Sequence, residues 1–102
     1  MLEDQLTLPH FQVRPEEIVR DYTKLLPPYK VIVHNDDVND MGYVVHALMH
    51  SVNTLTWQEA ERIMLTAHLN GQAVVIVCPK EVAEYYQERL ISYRLTATIE
   101  PD

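Results

Sequence analysis

Glycine is nearly missing from this chain: Gly42 and Gly71 are the only two in 102 residues. A phosphate cradle needs several closely spaced glycines, so nucleotide-binding loops are excluded. Cysteine is scarcer still. Cys78 stands alone, which rules out an internal disulfide framework. It sits in the apolar run Ala73–Cys78 and reads as a small core residue. Positive charge is also in short supply, with 8 Lys+Arg against 15 Asp+Glu and a formal net charge of −7. Nucleic acid and anionic membranes call for a basic surface, so neither is an expected partner. The same imbalance suits a cationic ligand or a basic protein. No segment approaches the ~18 apolar residues of a membrane span. The amino-terminal residues lack a basic stretch followed by an apolar one, so no secretory signal is read and a cytoplasmic location is expected. No serine or cysteine nucleophile motif is present.

What the chain does contain is enough apolar sequence for one modest core. Hydrophobic residues make up 47%, which fits a single globular domain with a tail. Residues 1–28 read as that tail, flexible or partly helical. They hold four of the six prolines and no glycine. Within them Ile18, Tyr22, Leu25 and Leu26 fall at helical spacing after Pro15, but such a helix is too short to stand alone. Residues 29–102 read as the compact domain.

That domain opens with Tyr29–His34, a β-branched strand bounded by prolines and polar residues. Asn39 or Asp40 caps a helix whose apolar positions are Met41, Val44, Val45, Leu48, Met49 and Val52. Thr56-Trp57-Gln58-Glu59 is a capping box and begins a second helix, with Ala60, Ile63, Met64, Ala67 and His68 on its stripe. Asn70-Gly71 ends it. Ala73–Cys78 is an unbroken apolar run and predicts a buried central strand. Pro79 begins a third helix reaching about Tyr93, and Thr96–Glu100 predicts a closing strand. The element order is β-α-α-β-α-β, an α/β (α+β) sandwich of three helices packed on a small sheet.

Three places could carry chemistry. Asn35, Asp36 and Asp37 follow the first strand, where polar side chains face a groove or simply make a turn. His68 lies on the apolar stripe of the second helix near its carboxyl end, as a ligand-facing donor or acceptor or as a satisfied core histidine. Met41, Val44, Met64 and Ala67 share the inner faces of two helices; they suit either plain core or an adaptable apolar pocket. His46 and His50 stand i, i+4, but the HALMH segment lacks the glutamate of HExxH, so the pair reads as a solvated flank rather than a metal site.

Three blocks in order resemble the ClpS family, adaptors that carry N-degron substrates to a Clp ATPase–protease. They are YKVIVHNDDVNDM at Tyr29–Met41, Met64-Leu65-Thr66-Ala67-His68 followed by Gly71, and Glu81-Val82-Ala83-Glu84. The resemblance implies a three-stranded antiparallel sheet and a binding protein without cofactor or metal, not an enzyme. It implies that Asn35, Asp36 and His68 bind a substrate's α-amino group. Met41 would stand at the pocket entrance and exclude β-branched first residues. Val44, Met64, Ala67 and Leu95 would line the pocket for a first side chain of Leu, Phe, Tyr or Trp. Residues 1–28 would engage the ATPase during delivery, and the region around Glu81 would dock on it. The implied partners are a ClpA- or ClpC-type AAA+ ATPase and N-degron proteins, and the implied state is a monomer.

The chain departs from the family pattern in three places. Asn39-Asp40 stands where many members have Thr or Ser then Pro, Ala67 where valine is usual, and Tyr86 where lysine is frequent. The alanine implies a roomier pocket. Two other readings compete: a Clp-regulating interaction protein without N-degron binding, and a small metal-dependent hydrolase built on Asp36, Asp37 and the histidines.

Overall fold

A computed structural model describes residues 27–102. The expected tail helix at Pro15–Leu26 lies outside the described residues, as does all of the expected tail up to residue 26. The elements are β1 (Pro28–His34), α1 (Met41–Ser51), α2 (Trp57–Asn70), β2 (Gln72–Pro79), α3 (Lys80–Ser92) and β3 (Thr96–Pro101). The order β-α-α-β-α-β is the one read from the sequence. The three strands form one antiparallel sheet in the order β2-β1-β3.

Two antiparallel partners make β1 the central strand. Val31, Ile32 and Val33 are at most 3% exposed, so this strand is sealed on both faces. Val31 and Val33 join the main core with Val45, Leu48 and Val52 of the α1 region, Ile63 and Met64 of α2, and Ala83 and Leu90 of α3. Burying each such aliphatic side chain contributes roughly 1.5–3 kcal/mol, and this is what holds helices to sheet.

The expectation for Ala73–Cys78 needs correcting. The run is a strand, but β2 lies at the edge of the sheet, not its centre. Ala73 and Val75 point into the core, while Val74 and Val77 are each 46% exposed. Cys78 is half-buried, and burial pushes its thiol pKa up. The ladder also slips here: Val31 pairs with Ile76 and Ile32 with Val74, leaving Val75 as the extra residue of a β-bulge. An apolar run shows that a segment is strand-like. It does not show how many neighbours that strand has, because pairing is decided by distant residues.

Local chemistry sets the helix ends. Asp40 caps α1, its Oδ1 accepting from the Tyr43 N–H at 3.0 Å. The capping box of α2 is complete: Thr56 Oγ1 accepts from Glu59 N–H at 3.1 Å, and Glu59 Oε1 accepts from Thr56 N–H at 2.8 Å. Gly71 ends α2 at φ 93°, a left-handed conformation that favours glycine. Arg89 of α3 donates to the carbonyls of Ser51 and His50 at 3.1 and 2.6 Å, tying α3 to the last turn of α1. That is favourable placement for a cation, since the carbonyl end of a helix carries partial negative charge.

The β1–α1 loop is held by one carboxylate. Asp36 Oδ1 accepts from the backbone N–H groups of Val38 and Asn39 at 3.0 and 2.8 Å. The Asn39 N–H above all holds the Asp36 carboxyl below its ordinary 3.8, opposed by partial burial and assisted by the Asn39 side chain and the Val38 N–H.

Two outcomes are expected. Leu48 is fully buried, so Leu48→Ala should cost about 2–5 kcal/mol in urea unfolding through the cavity it leaves. For Asp36 the folded-state pKa is the depressed one. Its stabilisation is therefore complete above 3.8 and disappears as pH falls through the lower folded value. Asp36→Ala should be less stable than the native chain near neutrality, and the two unfolding free energies should converge in acid. A constant gap across the acid range would contradict this account of the loop.

Candidate functional site

One backbone hydrogen bond assembles the polar part of the site. Asn35, the first residue after β1, donates its N–H to the Gly71 carbonyl at 2.9 Å. Gly71 is the cap of α2, and its own N–H bonds to the Ala67 carbonyl at 2.8 Å. The end of β1 and the last turn of α2 are thus brought side by side. Asn35 and Asp36 come from the first and His68 from the second.

Beside them lies a cavity of about 370 Å³. Met41 and Val44 of α1, Met64 and Ala67 of α2, and Leu95 before β3 form its apolar wall. Asn35, Asp36 and His68 also line it. All eight residues implied for the pocket and its mouth therefore border one hollow. Depth varies along it. Met64, Ala67 and Leu95 are buried, Val44 is half-buried, and Met41 is 45% exposed at the rim. Asn35 and His68 are exposed and Asp36 partly so. His68 is therefore not a core histidine, although it falls on the stripe of α2.

Glu81 does not border this cavity. It sits in the first turn of α3, in a surface depression shared with Glu84, Tyr85, Gln87 and Glu88. His46 and His50 are also apart from it: His46 lies edge-on to Trp57, and His50 stacks on Tyr93. Among the described residues no three His, Cys, Asp or Glu side chains are grouped as a metal site would need.

Asp37, weighed with Asn35 and Asp36 in the sequence, also lines the cavity, and so do four residues not read there as site residues: Val33, His34, Asn39 and Asp40, the last two considered only as helix caps and as departures from the family pattern. The His34 ring shares a 2.7 Å hydrogen bond with the Thr98 hydroxyl across the sheet. Asn39 is the larger omission. Its side-chain Nδ2 donates to Asp36 at 3.3 and 3.2 Å and to the Arg94 carbonyl at 3.0 Å. The Asp-x-x-Asn spacing was a usable signal, because an aspartate can accept from N–H groups two and three residues on.

Electrostatically the hollow is one-sided. Asp36, Asp37 and Asp40 border it, and among the described residues no lysine or arginine does. Carboxylates, an amide and an imidazole next to an apolar wall can accept hydrogen bonds from a cation while an attached apolar group is buried.

Comparison with known proteins gives the same direction. The family model described as ATP-dependent Clp protease adaptor protein ClpS matches residues 24–98. The ClpS adapter protein of Synechococcus elongatus is 51% identical over 79 residues, covering 78% of this chain and 83% of that protein. The chloroplastic adapter CLPS1 of Arabidopsis thaliana is 44% identical over 84 residues, covering 82% of this chain and 53% of that protein. The structure of Agrobacterium tumefaciens ClpS2 bound to L-phenylalaninamide superposes with a TM-score of 0.69 at 30% identity, covering 74% of this chain and 98% of that one. The chain therefore belongs to the ClpS family, adaptor proteins of the ATP-dependent Clp protease rather than enzymes.

Proposed function

We propose that this chain recognises the free amino terminus of N-degron proteins whose first residue is Leu, Phe, Tyr or Trp, and delivers them to a Clp ATPase. The observation that carries the reading is the cavity itself. An apolar hollow is joined to a mouth of Asn35, Asp36 and His68, matching an apolar side chain attached next to an ammonium. L-Phenylalaninamide, the ligand named for the Agrobacterium relative, has that form: a benzyl group beside a free α-amine.

In this reading the ammonium donates to Asn35, Asp36 and His68. Each bond to a charged donor is worth about 1.5–3 kcal/mol, and burying a Leu or Phe side chain roughly 1.5–3 kcal/mol. After the cost of association an affinity near micromolar, about −8 kcal/mol, results. That is a suitable strength for an adaptor that must release its cargo. Met41, at the rim, narrows the entrance against β-branched side chains. Val44, Met64, Ala67 and Leu95 contact the bound side chain. Glu81 and its neighbours on α3 dock the ATPase, which is of the ClpA or ClpC type. Residues 1–28 act as the delivery tail, residues 29–102 as the adaptor core, and the protein works as a cytoplasmic monomer.

Fluorescence anisotropy with peptides differing only at the first residue and in N-acetylation tests the reading. A peptide beginning with Phe should bind, and its N-acetylated form should be weaker by at least about tenfold, since charge and donors are lost together. Asp36→Ala should weaken the free-amine peptide by about 10- to 100-fold at neutral pH. Equal binding of free and acetylated peptides would sink the proposal in favour of a Clp regulator without N-degron recognition. The pocket wall carries a separate expectation. Ala67→Val should reduce affinity for a Trp-first peptide more than for a Leu-first one, because added volume at a buried wall is felt most by the largest ligand. An unchanged Trp-to-Leu ratio would show that Ala67 does not set the room available.

A further inference from the structure

We propose that Asn39 is a positioning residue whose side-chain amide clamps the Asp36 carboxylate to the Arg94 carbonyl, fixing the amine-binding group relative to the Leu95 wall. The inference rests on the amine-binding reading of Asp36 given above.

A primary amide nitrogen has two hydrogens to give. In Asn39 one goes to the Arg94 carbonyl at 3.0 Å, and the other is shared between the two Asp36 oxygens at 3.3 and 3.2 Å. The two acceptors lie 58 residues apart in sequence, and no backbone hydrogen bond joins these two loops among the described residues. Asn39 thereby occupies both of its donors in bridging the loop before α1 to the turn before β3.

The turn it reaches is an unusual one. Arg94 has φ 69°, in the left-handed region that non-glycine residues seldom adopt. Its N–H bonds to the Ile91 carbonyl, and the next residue, Leu95, bonds back to the Leu90 carbonyl at 3.1 Å. Leu95 is buried and borders the cavity. A second strut from the same side supports the turn, the Tyr43 hydroxyl of α1 donating to the Tyr93 carbonyl. Asn39 thus acts at both ends. It orients the Asp36 oxygens, already gripped by two backbone N–H groups, and it anchors the peptide unit that aims Leu95 into the hollow.

The test separates positioning of the amine-binding group from mere support of the fold. Two ligands are compared by NMR titration: L-phenylalaninamide and 3-phenylpropanamide, which differ by the amine alone. Asn39→Ala should weaken phenylalaninamide about tenfold while leaving the amine-free ligand within about twofold. In an Asp36→Asn background, Asn39→Ala should change phenylalaninamide affinity by less than about twofold, since its target charge is already gone. Equal losses for both ligands, or full additivity of the two substitutions, would overturn the positioning role. Failure of the unaltered chain to bind phenylalaninamide would overturn the functional reading itself, and this inference with it. One measurement needs no variant: the Asn39 side-chain amide protons of the unaltered chain should exchange slowly with solvent. Exchange at the rate of a free amide overturns the clamp.

Discussion

Everything at the mouth of the cavity depends on the bond between the Asn35 N–H and the Gly71 carbonyl. It joins the residue that leaves the central strand to the residue that ends α2. Neither end could move independently without losing it, so the polar groups on both sides share one frame. The frame is itself rigid because β1 is paired on both edges and sealed on both faces. A left-handed residue is required where α2 turns into β2, and glycine takes that conformation without strain. One of the two glycines in this chain is therefore spent at the seam of the site.

The cavity is a product of the same packing that makes the core. Met64 and Ala67 are core residues of α2 and also wall residues of the hollow. Leu95 has the same double membership, whereas Met41 belongs to the rim alone. Stability and cavity shape are consequently not separable at the wall, while the mouth takes Asn35 and Asp36 from the β1–α1 loop and His68 from the exposed side of α2.

Much of this was legible in the sequence, and the reasons differ by element. The ends of α2 were readable because Thr56, Glu59 and Gly71 act through bonds to residues a few positions away. The inward faces of α1 and α2 were readable from helical spacing. The place of β2 was not: its apolar composition looked central, yet strand order depends on partners far along the chain. Leu95 offered no periodic signal, and only the resemblance to ClpS pointed to it. Asn39 was readable only as a candidate cap or a departure from the family pattern, because its decisive acceptor, the Arg94 carbonyl, is 55 residues away. His68 kept two meanings in the sequence, and its exposure at the mouth removes the buried one.

The extra residue at Val75 has a consequence for the molecule's neighbours. Among the described residues the outer side of β2 meets no further strand, and two valines stand half open to water upon it. A straight, sticky border of that kind invites other extended chains to zip along it. The bulge bends the border and breaks it into two short lengths. The edge of the sheet therefore offers an extended chain no continuous seam to adhere to.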